Sequence, residues 1–141
     1  MSLTVAVVTA GLSQPSSTRI LADLLADAVK AQVSARGESV KIEIIELRDL
    51  AQDLATTMVT GGLPTPKVAA AREILATADG LVAVTPVFTA SYSGLFKMFF
   101  DILDPDTLRN VPTIVAATAG TPRHSLVLEH ALRPLFAYLH A

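Results

Sequence analysis

Short apolar runs and stretches of helical spacing alternate along the chain. The run from Thr4 to Thr9 (TVAVVT) is rich in β-branched residues, as a strand buried on both faces should be. A turn-rich stretch, Gly11 to Ser17, follows. Leu21, Leu24, Leu25, Ala28 and Val29 then recur at helical spacing as far as Arg36-Gly37, where the glycine is a natural stop. Val40 to Glu46 alternates polar and apolar before Ile44-Ile45, which predicts a second strand with one face less covered, at a sheet edge. Residues 47 to 64 carry Gly61-Gly62 and Pro64 with weak periodicity and read as a long connection with a helical turn around Leu50 to Leu54. Thr65-Pro66 is an N-cap followed by proline at the first helical position, and predicts a helix to about Ala78. Leu81 to Thr85 is the third strand, Pro86 to Ser93 a loop, and Gly94 to Leu103 a helix ended by Asp104-Pro105. Thr113 to Ala117 is the fourth strand, and a last helix runs from Ser125 towards Tyr138 with a kink at Pro134.

Strands alternating with helices in this way call for right-handed crossovers and an open parallel sheet with helices on both faces. The 141 residues suffice for one domain with one sizeable core, and no internal repeat divides them. Ligands of such sheets bind at the carboxyl ends of the strands, which directs attention to loops 10–18, 86–94 and 118–125.

Composition narrows the ligand. Hydrophobic residues are 51% and charged residues 17% of the chain, which excludes intrinsic disorder. No apolar run is long enough to span a bilayer, because Thr9, Gly11, Thr85, Pro86 and Thr118 to Gly120 interrupt the richest stretches. Eleven basic against thirteen acidic residues, without a Lys/Arg cluster, lack the footprint of a nucleic-acid binder, so a small molecule is expected. The absence of cysteine excludes disulfides, thiolate metal sites and cysteine nucleophiles. Met1-Ser2-Leu3-Thr4 has no basic segment before its apolar run, so a strand rather than a signal peptide is expected, with the cytoplasm as location.

The first loop sets Ser13, Ser16, Ser17 and Thr18 at a helix start, where unpaired N–H groups and the positive end of the helix dipole favour an anion such as phosphate. The same hydroxyls equally suit plain helix capping. Neither G-x-x-x-x-G-K-[ST] nor G-x-G-x-x-G is present, and Glu46, placed like a ribose-binding acid, more simply ends a strand in solvent. The second loop offers Phe88, Tyr92 and Gly94 to a flat heteroaromatic ligand, although both rings also read as core aromatics. The third loop, Thr118 to His124, has small residues around Gly120 that allow close backbone approach. His124, His130 and His140 do not share metal-site spacing, and no G-x-S-x-G elbow exists. Acids to hold magnesium are misplaced, since Asp101, Asp104 and Asp106 follow a helix and Asp79 precedes a strand. A bound cofactor must therefore carry the chemistry.

Three segments together resemble the NAD(P)H-dependent FMN reductase family of flavodoxin-like proteins, the flavin reductases of two-component monooxygenases. They are AGLSQPSSTRILADLL (Ala10 to Leu25), ADGLVAVTPVFTASYSGLFKMFFDIL (Ala78 to Leu103) and ATAGTPRHSLVLEHALRPLFAYLHA (Ala117 to Ala141). They occur in the family's order and cover most of the chain, with residues 40–77 weak. The pattern T-P-V-[YF]-x-x-x-Y-S-G-x-x-K is the most specific part.

The resemblance implies a flavodoxin-like three-layer α/β/α sandwich over residues 1–141, with the parallel sheet lacking its last strand because the family continues beyond the helix at which this chain stops. It implies FMN and NAD(P)H as ligands and NAD(P)H:FMN oxidoreductase activity. Ser13, Gln14, Ser16, Ser17, Thr18 and Arg19 correspond to the FMN phosphate cradle. Pro86, Val87, Phe88, Thr89 and Tyr92 correspond to one side of the isoalloxazine, and Thr118, Ala119, Gly120 and Thr121 to the other. Many relatives carry arginine where this chain has Gln14 and tyrosine where it has Phe88. The first difference removes a phosphate charge partner; the second keeps the ring contact without its hydroxyl. A homodimer or homotetramer with His130 near the contact, and a partner monooxygenase that takes the reduced flavin, are implied too. Two other readings use the same pocket: a non-catalytic flavodoxin-like electron carrier, and a phosphate-ligand binding module without redox role.

Overall fold

The computed structural model describes residues 2–141. Four parallel strands, β1 (Ser2–Thr9), β2 (Ser39–Glu46), β3 (Gly80–Phe88) and β5 (Thr113–Thr118), stand in the order β2-β1-β3-β5. The two-residue strand β4 (Ser91–Tyr92) folds back antiparallel on the end of β3. β1 is buried because Val5 to Thr9 face helices on one side or the other, and β2 lies at the edge that its alternation predicts.

Side-chain alternation divides the core into two layers. Val5, Val7, Val82 and Val84 pack with Ala22 and Ala26 of α1 (Ser17–Ala35). Ala6, Val8, Leu81 and Ala83 face the opposite way. They meet α2 (Ala51–Val59), α3 (Pro66–Thr77), α4 (Gly94–Asp101) and the C-terminal segment. The three-layer flavodoxin-like arrangement is thus realised, with α1 forming one outer layer alone. Among the described residues no helix is long and apolar enough to cross a membrane.

The signals at helix ends act as their chemistry dictates. Thr65 accepts from Val68 N at 3.3 Å, with Pro66 in the first turn of α3. Gly37, at φ 77°, follows the end of α1 in the left-handed conformation that glycine adopts without strain.

Two expectations need correction. The stretch 47–64 is not a connection with one helical turn: a 3₁₀ turn (Leu47–Leu50) runs into α2. Leu47, Leu50, Leu54 and Thr57 bury one face of this unit, and that packing outweighs the low helix propensity of Thr56 and Thr57. The segment 86–93 is not a loop, because β3 continues through Pro86 to Phe88 and turns into β4. Proline is accommodated because β1 pairing ends at Val84, leaving that side of β3 free beyond it. The last helix is helical throughout from Val127 to Tyr138, after a 3₁₀ turn (Pro122–His124). Its regularity is broken just before Pro134: a π-helical turn (Leu128–Leu132), in which Arg133 N donates to Leu128 O, leads without a cap into α5 (Arg133–Tyr138) and accommodates a proline that cannot donate to the helix ladder.

Candidate functional site

Parallel register brings the three loops named from the sequence to one end of the sheet. Thr9 ends β1, Pro86 pairs with Thr118 at the end of β5, and the loop after β1 leads into α1. Thr9, Val84 and Thr118 fall on the sheet face covered by α1. Thr18 Oγ1 and Thr118 Oγ1 lie 2.8 Å apart, which ties the first loop to the third across 100 residues of sequence. Ala10 N donates to Val84 O at 3.0 Å, fixing the start of the first loop against β3.

The first loop is built around a close approach at Gly11. A Cβ there would collide with Ser16 Oγ and lie 3.1 Å and 3.2 Å from the Cβ atoms of Ser16 and Thr18. Ser16 is the N-cap of α1, and its hydroxyl accepts from Arg19 N at 3.1 Å. The first intrahelical bond runs from Ile20 N to Ser16 O, so the N–H groups of Ser17 and Thr18 point outward without helix partners. Among the described residues, the exposed Ser17 hydroxyl has no protein partner either. The hydroxyls thus divide by role: Ser16 caps, Thr18 braces Thr118, and Ser17 with the first-turn amides faces outward, unused by the fold. Ser13 and Gln14 are exposed, and Ser13 Oγ donates to Pro15 O at 3.0 Å.

At the end of β1, Thr9 Oγ1 is fully buried with no hydrogen-bond partner. An unmatched buried hydroxyl costs about 1–3 kcal/mol. The Thr9 hydroxyl lies at the end of β1 on the sheet face that α1 covers, shut off from solvent. The residues present fit a phosphate monoester in chemistry: several neutral donors, a helix dipole and a backbone kept free of a Cβ.

Arg19 contributes a permanent charge at the rim. Its Nε donates to Asp23 at 2.8 Å, and its Nη1 is 3.3 Å from Glu46 Oε2. The Asp23 hydrogen bond is the largest influence and raises the Arg19 pKa; burial opposes it and the Glu46 charge adds to the rise. This cation does not titrate in the physiological range.

The second loop is a tight hairpin with Thr89 and Ala90 at its tip, both at positive φ (50° and 68°), as a two-residue type I′ turn requires. Neither is asparagine or glycine, so the turn holds strain, of order 1 kcal/mol per residue. Pro86 and Val87 are half-buried, whereas the Phe88 ring is 46% exposed beside the turn. Phe88 is therefore available to a flat ligand. Tyr92 instead packs on Phe96, ring centroids 5.9 Å apart, so for it the core reading applies. Thr85 closes the base of this loop: its hydroxyl donates to Pro86 O at 2.8 Å and accepts from Ser93 N at 3.0 Å. Ser93 in turn caps α4 by accepting from Phe96 N at 3.1 Å. Thr85→Val leaves the buried Ser93 N–H unpaired, and urea unfolding is expected to show a loss of about 1–3 kcal/mol. A variant within about 0.5 kcal/mol of the parent contradicts the clamp.

In the third loop Ala119 and Gly120 are exposed, and Thr121 caps the following 3₁₀ turn by accepting from Arg123 N at 3.3 Å. A Cβ at Gly120 would meet nothing within 4 Å, so the space above it is open to solvent or ligand.

Arg48, which no sequence signal singled out, reaches this site from the 3₁₀ turn after β2. Its Nη1 donates to Ser13 O at 2.9 Å.

Comparison with known proteins identifies the family. The chain is 39% identical over 139 residues to the FMN reductase (NADPH) of Pseudomonas aeruginosa, covering 97% of this chain and 70% of that protein. It is 38% identical over 139 residues to the NADH-dependent FMN reductase SfnE of Pseudomonas putida, covering 99% and 72%. Among solved structures, an oxidoreductase from Corynebacterium diphtheriae superimposes with TM-score 0.96 at 57% identity, covering 99% of this chain and 76% of that one. The apo form of the NADH:FMN oxidoreductase EMOB gives TM-score 0.84 at 30% identity, covering 97% and 69%. The sequence model described as NADPH-dependent FMN reductase matches residues 3–141, and it is to that family that this chain belongs.

Proposed function

We propose that the crevice at the carboxyl ends of β1, β3 and β5 binds FMN within a single domain spanning residues 1–141, and that the chain acts as an NAD(P)H-dependent FMN reductase. The observation that carries this reading is the convergence of a Cβ-free anion loop, an exposed ring at Phe88 and an open glycine at Gly120 on one end of the sheet. Family membership and FMN reductases near 39% identity support it.

In this reading the amides of Ser17 and Thr18, the Ser17 hydroxyl and the neighbouring Ser13, Gln14 and Ser16 surround the phosphate, with Arg19 at the rim. Pro86 to Thr89 and Thr118 to Thr121 flank the ring system, and Tyr92 acts from below by supporting the hairpin. Bound FMN supplies the redox chemistry, accepting a hydride equivalent from the nicotinamide. The protein's own part is orientation and exclusion of water, so no acid–base side chain is needed. Among the described residues the loop itself carries no lysine, and the two guanidinium groups that meet it are engaged by carboxylates, Arg19 by Asp23 and Glu46 and Arg48 by Glu46. Such a site releases its flavin readily, which favours delivery of reduced flavin to a partner monooxygenase. Exposed Leu126, Leu128 and Tyr138 on the C-terminal segment favour self-association there.

Steady-state oxidation of NADH and NADPH with and without added FMN tests the proposal. Turnover that saturates with micromolar FMN is expected, by either nicotinamide. No turnover, together with no FMN binding at high micromolar concentration, sinks it.

A further inference from the structure

The middle of the anion loop and the helix turn that follows it are tied to a single carboxylate at the end of β2. Arg48 Nη1 donates to Ser13 O at 2.9 Å, while its Nη2 donates to Glu46 Oε2 at 3.3 Å. The same Glu46 oxygen receives Arg19 Nη1, also at 3.3 Å, and Arg19 lies in the first turn of α1. Ser13 stands in the middle of the loop and Arg19 in the first turn of the helix that follows it, so the series Ser13–Arg48–Glu46–Arg19 is a strut between the two.

The strut is partly shielded from water, with the Arg48 and Glu46 side chains only 20% and 15% exposed. It spans residues that local structure does not hold: Ser13 and Gln14 are exposed and belong to no helix or strand. A guanidinium suits this place because its planar fork reaches a carbonyl and a carboxylate at once, which a lysine amine cannot do with the same geometry.

We infer that Arg48 is a positioning residue for phosphate recognition: by clamping the Ser13 carbonyl to Glu46 it holds the loop in the shape that presents the Ser17 and Thr18 amides to the anion. This rests on the assignment of the loop as the FMN phosphate cradle. Arg48 touches no reacting atom, so its influence falls on FMN through the phosphate and not on riboflavin, which shares the ring but lacks that group.

The experiment compares FMN and riboflavin binding by flavin fluorescence in the parent, Arg48→Ala and Arg48→Lys proteins, with steady-state kinetics alongside. Arg48→Ala is expected to weaken FMN binding and raise its KM about tenfold, with riboflavin affinity and kcat changed by less than about twofold. Arg48→Lys, which keeps the charge but can hold only one of the two partners, is expected to lose a few-fold in FMN affinity alone. FMN and riboflavin weakening together indicates a merely structural role and overturns the inference, as does unchanged FMN affinity. Should the alanine variant not fold, the lysine variant decides by the same ratio. A parent protein that does not prefer FMN to riboflavin removes the cradle assignment itself and this inference with it. A parent that does prefer FMN, with unaltered selectivity in both variants, removes only the role of Arg48.

Discussion

Gly11→Ala is expected to weaken FMN binding about a hundredfold while leaving a folded protein. The argument is steric. Gly11 does not have positive φ, so alanine suffers no backbone strain there, and the whole effect comes from the added methyl group. That group collides with Ser16 Oγ, and Ser16 is buried and already committed as the cap of α1. Relief is possible in two ways. If the Ser16 side chain turns aside, the Arg19 N–H loses its acceptor, at about 1 kcal/mol. If the loop moves outward, the cap survives and the Ser17 and Thr18 amides leave their positions. Either way the helix mouth that presents donors to an anion is remodelled. Loss of two hydrogen bonds to charged oxygens, each about 1.5–3 kcal/mol, corresponds to the stated hundredfold or more. A fluorescence titration with FMN measures it, with far-UV circular dichroism confirming the fold. Affinity within about threefold of the parent would mean that the phosphate lies elsewhere.

Much of the framework on which this loop sits is legible in the sequence, and the reasons are local. TVAVVT and LVAVT are short β-branched runs bounded by breakers, so strand assignment follows from composition and length together. Thr65-Pro66 announces a helix because the cap and the proline act within one turn of chain. What escapes such reading is whatever depends on distant partners. α2 forms because Leu47, Leu50 and Leu54 find the α3–α4 side of the sheet, and its own residues, with Thr56-Thr57 near the end, give little local support. The hairpin at Thr89-Ala90 lacks the Asn-Gly signature of its turn type, so its strain is visible only once β4 is seen against β3. The π-helical turn at Leu128–Leu132 preserves a helix-like apolar spacing and is invisible to periodicity. In the site, the sequence supplies the loops and the donor types. The sorting of Ser16 as cap, Thr18 as brace and Ser17 as outward donor depends on Thr118, and the Arg48 strut depends on Glu46 and Ser13; neither has a sequence pattern.

The same dependence on distant partners makes Phe96 the side chain whose loss should harm stability most. Phe96 is fully buried, and its ring meets Phe100 at 4.7 Å, Tyr92 at 5.9 Å and Phe136 at 6.2 Å between centroids. It thereby sits where three pieces of chain meet, the β4 end of the hairpin, α4, and α5 beyond the π-helical turn, beside the direct Phe100–Phe136 contact at 5.1 Å. Phe96→Ala deletes the ring from the middle of this cluster. The neighbouring rings sit on separate elements and cannot collapse into the space together, so the cost belongs at the upper part of the usual range for such truncations, about 3–5 kcal/mol. Against a typical total of about 5–15 kcal/mol, that leaves a marginal protein. Urea unfolding followed by circular dichroism should show a large fall in midpoint with little change in slope, since the surface exposed on unfolding is nearly the same. Function should fail indirectly: Tyr92 and the Ser93 cap lose their backing, and the remedy is mass action, with excess FMN raising the midpoint because only the folded state binds it. Phe96→Leu keeps most of the volume and should lose far less than the alanine variant. An alanine variant that loses under about 1.5 kcal/mol would show that the ring does not occupy the junction described, because that loss is smaller than transfer of a buried aromatic side chain alone demands.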